Sequence, residues 1–240
     1  MSDVIKLVSS VVLATGIAVG GFFPGYYYYQ SKMGSNFVTV KGLAEMDVRA
    51  DLGVWDIKYV VTGNDLATAQ SEMEAQQKII LSFLKNLGFE DTEIAVKRTE
   101  TNDLMANPYR NESIGATRYI LTQSIQLTSK NVDLVEKAVN STSSLIAKGI
   151  VFDSNNYNPV SYIFTKINDI KPQMLEEATK NAAAAANEFA KSSNTKVGKI
   201  RKANQGVFSI LPREQTANAM EMNSIEKKVR VVSTVEYYLD

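Results

Sequence analysis

The strongest pattern in the chain is an almost unbroken apolar run close to its first residue. Residues 4–23 read VIKLVSSVVLATGIAVGGFF and carry one charge, Lys6. About 20 residues of helix span a hydrocarbon core about 30 Å thick. The strongly apolar residues of the run favour insertion into lipid by roughly 4 kcal/mol in total. The pattern predicts one transmembrane helix within an anchor and linker (residues 1–35), followed by a body (residues 36–240).

The residues after the run help to distinguish a retained anchor from a cleaved secretory signal. Four tyrosines follow, Tyr26, Tyr27, Tyr28 and Tyr29, and they predict a belt at a membrane–water interface, where an apolar ring and a polar hydroxyl are both satisfied. Cleaved signals have an apolar core of about 7–15 residues and a small-x-small cleavage site, which this stretch does not match. A retained anchor is the favoured interpretation, and a cleaved signal or a buried core helix is the alternative.

The positive charges around the run predict its orientation. Lys6 lies before the span, and the first charge beyond it is Lys32. Because basic residues are enriched on the cytoplasmic side, the chain start is expected in the cytoplasm and the body outside it, in the periplasm if the source is a Gram-negative bacterium. For such a source the predicted location is the bacterial inner membrane, with secretion to the periplasm or outer membrane after signal cleavage as the alternative.

Small residues within the run predict contact with a second helix. Gly16 and Gly20 are four residues apart, and Gly21 and Gly25 repeat the spacing. Small residues at this spacing allow helix backbones to approach closely in lipid. The competing interpretation is that glycine is simply common in membrane helices.

In the body, apolar and polar residues alternate with a period of two, which is typical of strands. Val38 and Val40 alternate with polar neighbours, and Gly42 is interpreted as a break. The apolar face then changes from even to odd positions near Gly53–Trp55, which predicts a bulge or bend there, because a slip of one residue would expose the buried face. Further strands are expected near residues 94–96, 119–127, 150–153, 160–166, 197–203, 207–210 and 229–239, with a polar loop or arm at 103–115.

Three segments of the body have apolar residues at helical spacing. The first follows a cap at Asn64 or Asp65 and ends at Gly88, and the second covers about residues 131–146. The third has Pro172 in its first turn. Its predicted buried side comprises Met174, Ala178, Ala182, Ala185 and Phe189. Strands and helices in this order predict an α+β fold, with a largely antiparallel sheet packed on about three helices.

Composition removes most catalytic chemistry from consideration. The sequence has neither cysteine nor histidine, so thiol nucleophiles, disulfides and the commonest metal ligand and general base are absent. Ser82 and Lys85 match an S-x-x-K motif, but its companion motifs are missing. Asp153 begins a calcium-like loop whose later positions do not fit. We therefore expect no catalytic, cofactor or metal site.

The charge distribution argues against nucleic acid as a partner. The chain has 26 basic and 26 acidic residues, so it has no net field to recruit a polyanion. Two local clusters of basic residues are interpreted as a solvated sheet edge that discourages aggregation. Anionic lipid or a neighbouring subunit is the alternative for these clusters, which comprise Lys196, Lys199, Arg201 and Lys202 and then Lys227, Lys228 and Arg230.

Three stretches of the body resemble the SIMPL domain family of bacterial envelope proteins. The opening FVTVKGLAEMDVRADLGVWDIKY matches the start of that domain at Val38, Val40, Gly42, Ala44, Val48 and Asp51, although Ala50 replaces its usual proline. A second match is the alanine-rich helix and following strand, at Ala178, Ala182, Ala190, Gly198 and Lys199. The closing VRVVSTVEYYL is similar to the last strand of the family.

The resemblance covers residues 37–240 and implies an α+β envelope domain without an established activity or cofactor. It further implies a link to envelope stress tolerance and large ring-like homo-oligomers for some members. Combined with the anchor, it predicts a membrane-anchored protein whose body assembles into a ring-like or channel-like homo-oligomer. The alternative functions are a periplasmic binding module for a lipid, peptide or protein partner, and a hydrolase using carboxylates or a serine–lysine pair.

Overall fold

The computed structural model describes residues 2–33, 36–106, 117–153, 160–216 and 219–240. The chain forms two compact units, each built from several segments. Unit 1 comprises Met1–Glu45, Lys171–Phe208 and Arg230–Asp240, and unit 2 comprises Met46–Ile170 and Ser209–Val229. The predicted boundary between residues 35 and 36 stays a prediction.

The elements follow the α+β order expected from the sequence. The helices are α1 (Ser2–Met33), α2 (Leu66–Leu87), α3 (Val132–Asn140), α4 (Ser143–Ile146) and α5 (Ile167–Ser192). The strands are β1 (Phe37–Arg49), β2 (Leu52–Gly63), β3 (Ile94–Val96), β4 (Glu100–Asp103), β5 (Tyr119–Ser129), β6 (Val160–Ile163), β7 (Val197–Gln205), β8 (Ser209–Pro212) and β9 (Glu226–Leu239). Short 3₁₀ turns occur at Asp91–Glu93, Leu104–Ala106 and Glu221–Asn223.

Unit 1 is a sheet covered by one helix. Its strands lie in the order β1-β9-β7, and β7 pairs antiparallel with β9 through two bulges between Val197 and Lys202. Alternate residues of β1 and β9 point toward α5, and a row of alanines on α5 packs against them. The core of this unit comprises Val38, Val40, Ala182, Ala186, Val235 and Tyr237.

The contact between α5 and β1 is unusually close, and Gly42 makes it possible. A Cβ atom at Gly42 would overlap the Ala178 carbonyl oxygen and lie 2.5 Å from the Ala182 nitrogen. Gly42 therefore lies inside a continuous β1, and the predicted break there is wrong. The side-chain amide of Asn181 donates to the Leu43 carbonyl at 2.8 Å and reinforces the same contact.

Unit 2 contains a sheet in the order β3-β5-β2-β6, in which β4 also pairs with β5. The pairings within this sheet are antiparallel, and Ile57 lies opposite Ile125 in the longest of them. One face of the sheet packs against α2 and α3 and forms the larger core, which includes Trp55, Tyr59, Ile80, Leu127 and Val135. Antiparallel sheets covered by helices on one face confirm the α+β prediction.

Local signals place α2 where the sequence predicts it. The Asp65 carboxylate accepts from the Thr68 amide at 2.8 Å and caps the helix start. Gly88 ends the helix with a φ of 105°. The Thr68 hydrogen bonds lower the pKa of Asp65, because they favour its charged form.

Other boundaries differ from prediction. The change of buried face occurs at Ala50–Asp51, where the chain leaves β1 and starts β2 in another sheet, rather than at a bulge near Gly53–Trp55. The second predicted helix is divided into α3 and α4. Pro172 lies in the second turn of α5, since the helix begins at Ile167. The expected strand at 150–153 is reduced to one bridge, between Phe152 and Tyr59.

The buried side of α5 also differs from the predicted one. Ala185 and Phe189 are exposed, and Phe189 has 61% of its surface accessible. The buried residues are instead Met174, Ala178, Ala182, Ala186 and Ala190, which repeat every fourth position. Such a row follows one ridge of the helix, and small side chains along it permit the close approach to β1. Most of the predicted loop at 103–115 lies outside the described residues.

Candidate membrane anchor and assembly surfaces

Helix α1 contains a segment long and apolar enough to cross a membrane. Leu7–Gln30 has 24 residues, a mean hydropathy of 1.8 and no buried residue. At 1.5 Å per residue it is about 36 Å long, slightly more than a typical hydrocarbon core. Its large apolar side chains, from Leu7 to Phe23, are each about half or more exposed. The segment is an apolar helix of the kind that serves as a membrane anchor or as a signal sequence.

The four predicted belt tyrosines lie on the last turns of this helix. Pro24 does not end it, and the helix continues through Tyr26–Tyr29 to Met33, so it fills most of the predicted anchor and linker (residues 1–35). Successive residues of a helix are about 100° apart, so four consecutive tyrosines surround it at one level. Tyr26 stacks on Phe22 with ring centroids 5.9 Å apart, which makes the aromatic band continuous with the apolar span.

The predicted helix-packing residues, Gly16 and Gly20, leave an open notch on α1. A Cβ atom at either position would have no heavy atom outside the helix backbone within 4 Å. The neighbouring polar side chain is satisfied within the helix, because the Thr15 hydroxyl donates to the Val11 carbonyl at 2.8 Å. The notch therefore leaves room for the backbone of a second helix, because close packing of membrane helices requires small residues at the contact.

The end of unit 1 where β1 begins is built by backbone pairing of three chain segments. The Leu239 amide donates to the Asn36 carbonyl at 3.0 Å. Lys196 and Asp240 exchange two backbone hydrogen bonds, of 3.0 and 2.9 Å. Here the start of β1, the end of β9 and the start of β7 lie side by side. The Arg201 guanidinium lies 4.0 Å from the centroid of the Phe37 ring.

The two basic clusters differ in their surroundings. Lys196, Lys199, Arg201 and Lys202 are exposed, as expected of a solvated edge. Arg201 pairs with Glu236 at 3.0 Å.

Lys227 contradicts the same interpretation, since its side chain is fully buried. Its ammonium donates to both the carboxylate and the main-chain carbonyl of Glu221. The alternation along β9 indicates that Lys227 is buried, because position 227 shares the buried face with Val229 and Val231.

Ser82 and Lys85 of the S-x-x-K motif have separate partners. The Ser82 hydroxyl donates to the Lys78 carbonyl at 2.7 Å. Lys85 pairs with Asp91 at 2.7 Å rather than with the serine. Over the ranges that the structure describes, no group of three acidic residues could hold a metal ion. Residues 154–159 of the calcium-like loop lie outside those ranges.

A small cavity of mixed character lies beside β2 in unit 2. It has a volume of about 210 Å³ and is lined by Trp55, Asp56, Ile57, Lys58, Val139, Thr142, Phe152 and Asp153. The Lys58 ammonium donates to the Asp153 carboxylate at 3.0 Å. This contact raises the pKa of Lys58, because the carboxylate favours its charged form. The cavity offers apolar contact together with one ion pair.

Comparison with known proteins identifies the body. The SIMPL family model, described as a protein of unknown function (DUF541), matches residues 38–237. The chain belongs to the SIMPL family. A search of curated proteins finds no match. The SIMPL match confirms the resemblance predicted from the sequence and covers both units of the body.

The residues that carry the SIMPL resemblance have structural roles here. Gly42 allows the backbone of α5 to pack closely on β1. Asp51 accepts from the Thr165 amide at 2.7 Å and from its hydroxyl at 2.8 Å. Burial opposes ionisation of Asp51, but the Thr165 hydrogen bonds outweigh it, so the pKa of this carboxyl is lowered. A Cβ atom at Gly198 would lie 3.0 Å from Asp240 Oδ2.

Proposed function

We propose that this SIMPL protein is a single-pass protein of the bacterial inner membrane whose body lies in the periplasm and forms a ring-like or channel-like homo-oligomer. The observation that carries the proposal is the apolar helix Leu7–Gln30, none of whose residues is buried. An uncleaved helix of this kind needs lipid or other helices around it, because water would contact its whole apolar surface. The role is structural rather than enzymatic, and the envelope-stress link implied by the family belongs to the same proposal.

Two features support association between copies. The notch at Gly16 and Gly20 lets a second α1 approach closely. In unit 1, β7 is an edge strand with exposed apolar residues nearby, including Ile200 and Val207. An edge strand offers unpaired backbone groups to another chain. The bulges and lysines of β7 limit indiscriminate pairing, which favours a defined partner such as a second copy.

Filling the notch on α1 is expected to weaken the assembly. We expect Gly16→Leu combined with Gly20→Leu to raise the dissociation constant of the detergent-solubilised full-length chain about tenfold, equivalent to about 1.4 kcal/mol. The leucines would hold the two backbones apart. Light scattering after size exclusion, with particle images, measures the change. Ala18→Leu is the control, since it places one leucine on the opposite side of α1.

The wild-type result decides the proposal as a whole. A particle of several copies supports it, and a strict monomer at all concentrations contradicts it. If the double variant and Ala18→Leu give the same mass as the wild type, the notch is not the assembly surface.

A second candidate function, a binding module, rests on the cavity beside Trp55. At about 210 Å³ it is smaller than the ~300–1,000 Å³ of typical small-molecule sites. It would therefore take one side chain of a peptide or a ligand of a few heavy atoms. Native mass spectrometry of the same solubilised particle separates the two candidates, since a co-purified mass bound to each copy favours the binding module.

A further inference from the structure

The link between α1 and the body is too short to let one end of unit 1 move far from the membrane. Helix α1 ends at Met33 and β1 begins at Phe37. Four Cα steps of at most about 3.6 Å separate these two residues, so they lie within about 14 Å of each other. If α1 is anchored in lipid, the start of β1 stays near the headgroups.

The side chains at this end of unit 1 are basic and aromatic. The start of β7 lies at the same end as the start of β1, because Lys196 pairs with Asp240 and Leu239 pairs with Asn36. The end of α5 leads directly into β7, and the Thr195 amide donates to the Ala190 carbonyl at 2.9 Å. Four exposed residues form what we call the basic end, namely Phe189, Lys191, Lys196 and Lys199.

The basic end has an excess of positive charge that the whole chain lacks. Residues 188–202 contain five basic residues and a single acidic one, Glu188. Two nearby carboxylates offset part of this positive charge, one on β9 and one on the residue that follows β9. Glu236 is already paired with Arg201, and Asp240 lies beside Gly198. A positive excess therefore persists after both are counted, in a chain whose net charge is zero.

An exposed aromatic ring among lysines matches the chemistry of a lipid surface. Lysines near a membrane are attracted by anionic headgroups, an attraction that fades within a Debye length of about 8 Å at physiological salt. A phenylalanine ring can enter the boundary between headgroups and acyl chains. Phe189 has 61% of its surface exposed, so its ring is free to enter such a boundary.

We infer that the basic end lies on anionic phospholipid headgroups of the membrane that holds α1. Lys191, Lys196 and Lys199 contact lipid phosphates, and Phe189 enters the interface beside them. This inference rests on the proposed membrane anchoring. It goes beyond that proposal, since it states which end of unit 1 faces the membrane and which lipid it recognises. Each lysine is expected to contribute about fivefold to the contact equilibrium.

The test uses the full chain reconstituted in lipid nanodiscs. Because the sequence has no cysteine, Ala185→Cys on the exposed side of α5 provides a single labelling position. Energy transfer from this label to a headgroup acceptor is compared in phosphatidylcholine discs and in discs containing phosphatidylglycerol. We expect greater transfer with the anionic lipid, reduced by high salt. Replacing Lys191, Lys196 and Lys199 with glutamine should abolish the difference.

The control variant removes the same number of charges elsewhere. Lys97, Lys130 and Lys148 are exposed residues of unit 2, and replacing them with glutamine should leave the lipid dependence intact. If the chain is retained in the discs, equal energy transfer in both lipids overturns the inference. Identical behaviour of the two triple variants also overturns it. A chain that is not retained in discs of either composition contradicts the anchor instead.

Discussion

Replacing Gly42 with alanine is expected to lower the free energy of unfolding of unit 1 by about 3 kcal/mol, at the upper end of the usual cost of overpacking. The added Cβ would overlap the carbonyl oxygen of Ala178 and crowd the nitrogen of Ala182. Both atoms belong to the α5 backbone, so no side chain can rotate away. Relief requires α5 to move off the sheet, which would open the alanine row.

Hydrogen exchange of the α5 backbone amides in the full-length chain measures this effect locally. Their opening free energy should fall in Gly42→Ala. The control is Lys41→Ala, since Lys41 is exposed on the opposite side of the same strand and its loss should change stability by less than about 0.5 kcal/mol. Equal protection of α5 in the two variants would show that the helix does not pack closely on Gly42.

The second large effect is expected at the buried lysine of unit 2. Glu221→Ala should destabilise this unit by about 3 kcal/mol, because it leaves the buried Lys227 ammonium with only a main-chain carbonyl as its partner. Adding Lys227→Met should restore most of the loss, since an apolar side chain of similar length needs no charged partner. Urea titration followed by Trp55 fluorescence reports this change, because Trp55 is the only tryptophan and lies in the core of unit 2.

A surface carboxylate on the same part of the sheet provides the comparison. Asp47 pairs with Arg213 at 3.5 Å and with Lys228 at 3.6 Å, and its side chain is about half exposed. Asp47→Ala should therefore cost less than about 1 kcal/mol. If Glu221→Ala costs no more than Asp47→Ala, or if Lys227→Met fails to compensate, the buried pair does not hold this region together.

The elements that could be predicted from the sequence are those specified by local signals. Asp65 and Gly88 delimit α2, since a cap and a left-handed stop depend on single residues. Alternation along β5 and β9 predicted both strands and their buried faces. The same alternation places Lys227 on the buried face, whereas its residue type alone predicts exposure to solvent.

Features that depend on tertiary packing were harder to predict. A change of face between β1 and β2 is visible in the sequence, but its position is not, because Leu52 and Val54 are half-buried and fit either face. The alanine run of α5 has no apolar contrast around the helix, so the pattern could not distinguish Ala185 from Ala186. The sheet decides this, since only small residues fit close to Gly42, and the bulky Phe189 is left outside.

The features of the candidate site also differ in how far the sequence predicts them. The apolar helix could be predicted from the sequence, and it also carries the four tyrosines, Gly16 and Gly20, because the pattern lies on one continuous segment. The belt and the helix contact stay predictions. The residues of the basic end lie within residues 189–199, so their charge is visible in the sequence, but their position beside the start of β1 is not. Backbone pairing across three segments creates that proximity, and no local pattern records it.

The central claim is that α1 stays in the mature protein and holds it in the membrane, and the measurement that tests it most directly is carbonate extraction of membranes from cells that make this chain, followed by the intact mass of the extracted protein. We expect the protein to stay in the membrane pellet, with a mass that includes Leu7–Gln30. Release by carbonate, or a mature chain that begins after Tyr29, would contradict the claim.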